Sequence, residues 1–300
     1  MNADIRRCKI SISRYLYFGL SCLVLSVFHL QIFAQQPSVD FAEMLSTGSV
    51  EAKREALFQI RNLRSDQASR LAIPALSDSN EIVRATAASS VVFLPSDEAA
   101  ALLIPLLNDK AEFVRREAAY ALGIAASPAA TDALLQRLQK DKILEVRAAS
   151  AIALGGIGDP RSVDALITVL KKKPREDEEF LRRSAARSIG QIAQIIQTGK
   201  AEILTPQNFL PDKYREAETL KYPDLTAQYP AFRPAVTELI RVLQSASEAD
   251  DTRREAAFSL GAIGDKSAIS ILEASLFSED PYLTQISKEA LQKLRQKHDR

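Results

Sequence analysis

One phrase returns along this chain at nearly constant spacing, and it limits the fold more than any other feature. Val83-Arg84 is followed by Ala87-Ala88, Val114-Arg115 by Ala118-Ala119, Val146-Arg147 by Ser150-Ala151 and Leu181-Arg182 by Ala185-Ala186. Arg253 precedes Ala256-Ala257 in the same way, and fainter copies stand at Lys53 and Ser287. The intervals from Lys53 are 31, 31, 32, 35, 71 and 34 residues. A period in the thirties means stacked helical hairpins, because each unit has an apolar face that only its neighbours can bury. The 71-residue interval is one period plus an insertion.

Within a unit, a first helix such as 98–107 carries Leu102, Leu103, Leu106 and Leu107 on one side, and Asn108-Asp109 turns the chain. A second helix then runs from Glu112 to about Ala125. It buries Val114, Ala118 and Leu122, which share one face at four-residue steps. Gly155-Gly156-Ile157-Gly158 ends such a second helix, and Asp159-Pro160 opens the next unit as N-cap and first helical residue. That glycine run is no phosphate loop, since it comes after a helix instead of a strand. The scarcity of chemistry is also informative. Cys8, Cys22 and His29 all fall in the first 34 residues, leaving His298 as the only Cys or His beyond them. Thiol nucleophiles, disulfides and thiolate zinc sites are thereby excluded from the repeats, and the chain is expected to use no cofactor or metal and to be no enzyme.

The first 34 residues read as an address. Arg6, Arg7, Lys9 and Arg14 face Asp4 alone, and no charged residue occurs from Tyr15 to Val39. This order predicts a signal peptide cut after Ala34, or else an uncleaved anchor over 15–34. Either outcome makes residues 35–300 extracytoplasmic. They carry 35 basic and 37 acidic side chains, a balance that favours neither nucleic acid nor an acidic membrane surface. Membrane contact is expected only through the N-terminal segment.

The repeat phrase resembles the HEAT family, in particular the phycobilin-lyase HEAT-like repeats. Asp109, Val114-Arg115, Ala118-Ala119 and Leu122-Gly123 match its pattern, as do Asp141, Val146-Arg147, Leu154-Gly155 and Gly158-Asp159. The resemblance covers about residues 38–296 and leaves 198–231 unexplained. It implies an all-α fold, a right-handed α/α superhelix of about seven hairpins over 35–300, with second helices on the concave side. It also implies a ladder of ion pairs. Asp78, Asp109 and Asp141 each stand six residues before a repeat arginine, so each is expected to cap its helix and pair with one of Arg84, Arg115, Arg147, Arg182 and Arg253. A line of anion-binding arginines is the functional alternative. The acidic runs 176–179 and 250–251 read as helix starts, where acids favour the positive dipole end, better than as calcium sites.

Enzymes of this architecture can be tested against the residues. A HEAT-like di-iron hydroxylase needs repeated His-Glu pairs, and the chain has no His-Glu dipeptide. A phycobilin lyase acts inside the cell, where an exported protein has no substrate. Arg115-Arg116, Arg182-Arg183 and Arg253-Arg254 imitate the basic groove of a HEAT-like DNA glycosylase, but the charge balance opposes duplex binding. A surface is what remains. At about 100° per residue, positions one and five after the repeat arginine point away from the buried face. They place Arg116, Arg183 and Arg254, with Phe58, Tyr120, Ile152, Arg187 and Phe258, on a candidate protein-binding stripe, unless curvature buries them between repeats. Pro206, Pro211, Pro223 and Pro230 forbid one continuous helix in the insertion, whose Tyr214, Tyr222 and Tyr229 are candidate contacts. The expected function is an extracytoplasmic protein-interaction scaffold. The alternative is a carrier or sensor of a small ligand or peptide with 198–231 as its lid.

Overall fold

The computed structural model describes residues 40–200 and 223–295; residues 1–39, 201–222 and 296–300 lie outside it. Among the described residues there are fourteen α-helices and no strand. They form seven antiparallel pairs: α1 (Phe41–Thr47) with α2 (Val50–Asn62), α3 (Asp66–Leu71) with α4 (Glu81–Ser90), α5 (Ser96–Leu103) with α6 (Glu112–Ala125), and α7 (Thr131–Lys140) with α8 (Leu144–Ile157). α9 (Val163–Leu170) pairs with α10 (Glu179–Thr198), α11 (Phe232–Gln244) with α12 (Asp250–Ile263), and α13 (Ile269–Ala274) with α14 (Pro281–Arg295). The α5 helix is shorter than the leucine pattern suggests. Pro105 has no amide to donate, and the chain tightens into a 3-10 turn over Ile104–Asn108.

Successive second helices, from α2 through α14, pack directly against one another, while successive first helices touch sparingly. Small residues make this possible. A Cβ added at Gly123 on α6 would lie 2.7 Å from the Ala153 backbone of α8. Buried hydroxyls stitch the same row together: Ser90 donates to the Leu57 carbonyl across α4 and α2 (2.9 Å), and Ser259 to the Ala186 carbonyl across α12 and α10 (2.7 Å). The row continues past the insertion, because α10 packs on α12 as closely as α8 packs on α10. The returning chain is folded down at that junction. The Leu225 amide donates to the Ile263 carbonyl (3.0 Å), and the Gln197 side chain donates to the Pro223 and Ala262 carbonyls (3.2 and 2.8 Å). Gly264, at φ +87°, ends α12 there, and a Cβ on it would stand 2.7 Å from the Pro223 oxygen.

The acid and arginine ladder runs between repeats. Arg84 grips the Asp109 carboxylate of the following turn with two bonds of 2.8 Å, and Arg115 grips Asp141 at 2.9 and 3.0 Å. The remaining guanidinium nitrogen of each donates to the backbone of its own turn, Arg84 to the Asp78 carbonyl (2.9 Å) and Arg115 to the Asp109 carbonyl (3.0 Å). Asp78 itself takes Lys53 at 2.7 Å. These aspartates do not cap as N-caps. Each accepts the amide two residues on, that of Asn80, Ala111 or Ile143, and so shapes the turn that leads into the helix. Further along, Arg147 lies 3.8 Å from Glu178, and Arg182 makes two bonds to Glu248 in a fully buried pair. The rung expected at Arg253 is occupied by its neighbour. Arg254 holds Asp280 at 2.7 Å, whereas Arg253 reaches only Asp250 of its own helix and the Leu243 carbonyl.

Burial pushes the Asp141 carboxyl up, but Arg115 and the Ile143 amide more than offset this and hold it below the usual range. Its side chain is only 2% exposed, so Arg115→Ala leaves that charge with Arg137, 3.6 Å away, as its remaining cation and with little access to water. That change is expected to cost about 2–4 kcal/mol in chemical denaturation. Arg161→Ala breaks an exposed cluster and is expected to cost less than about 1 kcal/mol. Equal losses at the two positions would show that the ladder is not the source of rigidity.

Candidate interaction surface

Second helices leave several large apolar side chains in solvent, four of them in first turns and two, Phe58 and Ile124, further along. Phe113 on α6, Phe180 on α10 and Ile82 on α4, each two residues before the repeat arginine, are 37%, 44% and 39% exposed. Tyr282 in the first turn of α14 is also exposed, as is Phe58 on α2. Guanidinium groups lie on three of these rings: Arg116 stacks on Phe113 (4.8 Å), Arg183 on Phe180 (5.2 Å) and Arg254 on Tyr282 (5.2 Å). The pattern was visible in Glu112-Phe113-Val114-Arg115-Arg116 and Glu179-Phe180-Leu181-Arg182-Arg183, where an aromatic stands three residues before the second arginine.

The stripe drawn from angles alone divides. Phe58 is open, whereas Tyr120, Ile152, Arg116, Arg183, Arg187 and Arg254 are half-buried. Phe258 is buried at 9% exposure, its ring fitted where a Cβ on Gly190 of α10 would come within 2.7 Å. It is core. Direction is not the reason, since Phe113 and Tyr120 are seven residues apart on one face of α6. On α6 the flanking second helices cover Tyr120 in the middle turns and leave Phe113 in the first turn and Ile124 in the last turn open. The same cover buries Ala85 and Ala148 at position one. Burial accordingly raises the Tyr120 hydroxyl above its ordinary value. The arginines of the stripe are engaged as well. Arg116 contacts Glu117 at 3.3 Å, Arg183 binds Asp251 at 2.7 Å and Arg187 meets Glu255 at 3.4 Å, the last two joining α10 to α12. In the insertion, Tyr214 and Tyr222 lie outside the described residues. Tyr229 packs edge-to-face on Phe232 at 6.3 Å and serves the core, not an open surface.

Three grooves connect across the row. One of about 410 Å³ lies between α2 and α4, walled by Glu51, Arg54, Glu55, Phe58 and Thr86. The next, about 120 Å³, shares Phe58 and ends on Phe113 and Glu117 of α6. The third, about 290 Å³, shares Phe113 and continues past Glu112 and Arg116 to Ile143 and Glu145 at the start of α8. Two aromatic walls thus join the grooves into one track. Among the described residues no group of three or more His, Cys, Asp and Glu could hold a metal, and no helix is long and apolar enough to cross a membrane.

Stacked antiparallel helical pairs with a continuous second-helix row define an α-solenoid. The chain belongs to the HEAT-repeat family: the HEAT repeats model matches residues 40–123, 70–154, 113–190 and 131–206, and the PBS lyase HEAT-like repeat model matches 252–278. Among solved structures, it is similar to an engineered protein at 20% identity, covering 85% of this chain and 67% of that one, with a TM-score of 0.50. The complex of CpcE and CpcF of phycocyanin lyase from Nostoc sp. PCC7120 matches at 19% identity, covering 87% and 98%, with a TM-score of 0.46. Human deoxyhypusine hydroxylase in complex with glycerol matches at 20% identity, covering 88% and 98%, with a TM-score of 0.37. These likenesses are of fold alone. No curated protein matches the chain.

One buried acid makes the α10 and α12 junction sensitive to pH. Burial pushes Glu255 up to about 7 despite Arg187 and Arg183, with Asp251 adding to the rise, and its Oε2 has no hydrogen-bond partner. Its native pKa exceeds the ordinary 4.5, so the folded chain keeps a proton that the unfolded chain loses. Stability should therefore fall as pH rises from about 4.5 to about 7 and level off above. Urea midpoints across that range test this, and Glu255→Gln should flatten the slope. An unchanged slope in the variant would assign the dependence elsewhere.

Proposed function

We propose that this protein is an interaction scaffold whose protein partner lies along the second-helix row, and that it works outside the cytoplasm. The connected track carries this reading. Phe58 and Phe113 are large apolar side chains left in solvent at the two places where grooves meet, and a fold that buries most second-helix apolar positions has no internal use for them. The three grooves of the track are shallow and lined by charged and apolar side chains together, which suits an extended contact better than the enclosed pocket a small ligand requires. Support for export comes from the basic and then uncharged order of residues 1–39.

Replacing Phe58 and Phe113 together by Ser should abolish capture of partners from an envelope fraction and move the melting temperature by less than about 4 °C. A much larger fall would make the two rings core. Unchanged capture would remove the track from the interface. Fractionation that finds the chain in the cytoplasm would overturn the proposed address.

A further inference from the structure

The chemistry of the track narrows the partner. Its open side chains are apolar at the joints and mostly acidic between them: Glu51, Glu55, Glu112 and Glu145 are exposed on the helices, against Arg54 and Arg61. Both arginines belong to α2, so from α4 to α8 the exposed helical charges of the track are acids. Arg116 is turned onto Phe113 and Glu117, and the lysines Lys110 and Lys142 stand in the turns, off the helices. The first turns of α2, α4, α6 and α8 hold Glu51, Glu81, Glu112 and Glu145, two or three residues before the repeat Lys or Arg; three of the four line the grooves, and Glu81 is exposed beside them. Packed helices lie about 8–10 Å apart, and an extended chain rises about 3.1–3.4 Å per residue. One repeat therefore corresponds to about three residues of a bound strand.

Resting on the scaffold reading above, we propose that the track from α2 to α8 takes an extended segment of another protein that carries Lys or Arg at about every third position with apolar residues between. The apolar side chains occupy the grooves against Phe58 and Phe113. The cations meet the first-turn acids, which also keep duplex or single-stranded nucleic acid away through like charge.

Fluorescence anisotropy with the full chain tests this, using labelled peptides of about 18 residues. One has Lys at every third position with Leu and Ser between, a second has the same composition with all Lys at one end, and a third has Glu in place of Lys. The first should bind at least about tenfold tighter than the other two and weaken steeply by about 0.5 M salt. Glu112→Lys with Glu145→Lys should weaken it by about tenfold or more with helicity by circular dichroism unchanged, while Arg161→Ala should not. Equal binding of the clustered peptide, preference for the Glu peptide, or indifference to the double charge reversal would each overturn the proposal. If no peptide binds while Phe58→Ser with Phe113→Ser still abolishes envelope capture, the partner chemistry is wrong and the scaffold reading stands. If that double variant loses neither, both fall.

Discussion

An arginine on one second helix closes on the carboxylate in the next repeat's turn, and the spacing of the stack depends on that bond. Arg84 to Asp109 and Arg115 to Asp141 are two-point contacts between a planar fork and a planar carboxylate, so they fix orientation as well as distance. Each arginine also holds the backbone of the turn beneath it, and each aspartate holds the amide that leads into its own helix. Turn, helix start and neighbouring repeat are therefore set together. The ladder thereby places the first turns, and with them Glu112, Phe113, Glu145 and Phe180. A displaced rung would move that row before it disturbed the alanine core.

The ladder tolerates variation because the constraint is geometric. Arg147 is paired loosely with Glu178 and leans on the Leu138 carbonyl at 3.0 Å, Arg182 with Glu248 replaces the aspartate by a longer acid, and the last step passes to Arg254. Longer acids and shifted arginines occur on either side of the α10 and α12 contact, beside the insertion. The segment around Leu225 fills the edge of that junction, and Gly264 leaves room for it.

The repeat order, the seven pairs and the Gly and Asp punctuation were legible in the sequence because they arise from periodicity and turn chemistry, which are local. Which arginine meets which acid was not. Asp109 is six residues from Arg115 in sequence, yet it binds Arg84, twenty-five residues away, because the turn places its carboxylate toward the preceding repeat. The exposed stripe failed for a related reason. A helical wheel gives each helix one buried and one open side, whereas an inner second helix here has a neighbour on both flanks, and α2 and α14 at the ends of the described row have one. Phe58 and Phe258 occupy the same phase, but one borders a groove and the other fills the space left by Gly190. They share height as well as phase, and what differs is the cover: α2 has a second-helix neighbour on one flank only, α12 on both.

Position along the helix explains how a chain with nearly equal numbers of positive and negative residues acquires an acidic row. Acids at the first turn of a helix are favoured by the exposed amides there, and on α2, α4, α6 and α8 the first turn leaves them in solvent. On α4 to α10 the arginines that could balance them stand two to four residues later, where the ladder, the aromatic rings and the α10 to α12 contacts engage them. On α6 and α8, helix-end electrostatics and lateral packing thus separate two sets of charges: Arg115 and Arg147 are drawn into the ladder with Asp141 and Glu178, while Glu112 and Glu145 stay in solvent. Each added repeat extends both the rigid ladder and the row of acids, so the length of surface offered to a partner grows with the same unit that stiffens the stack.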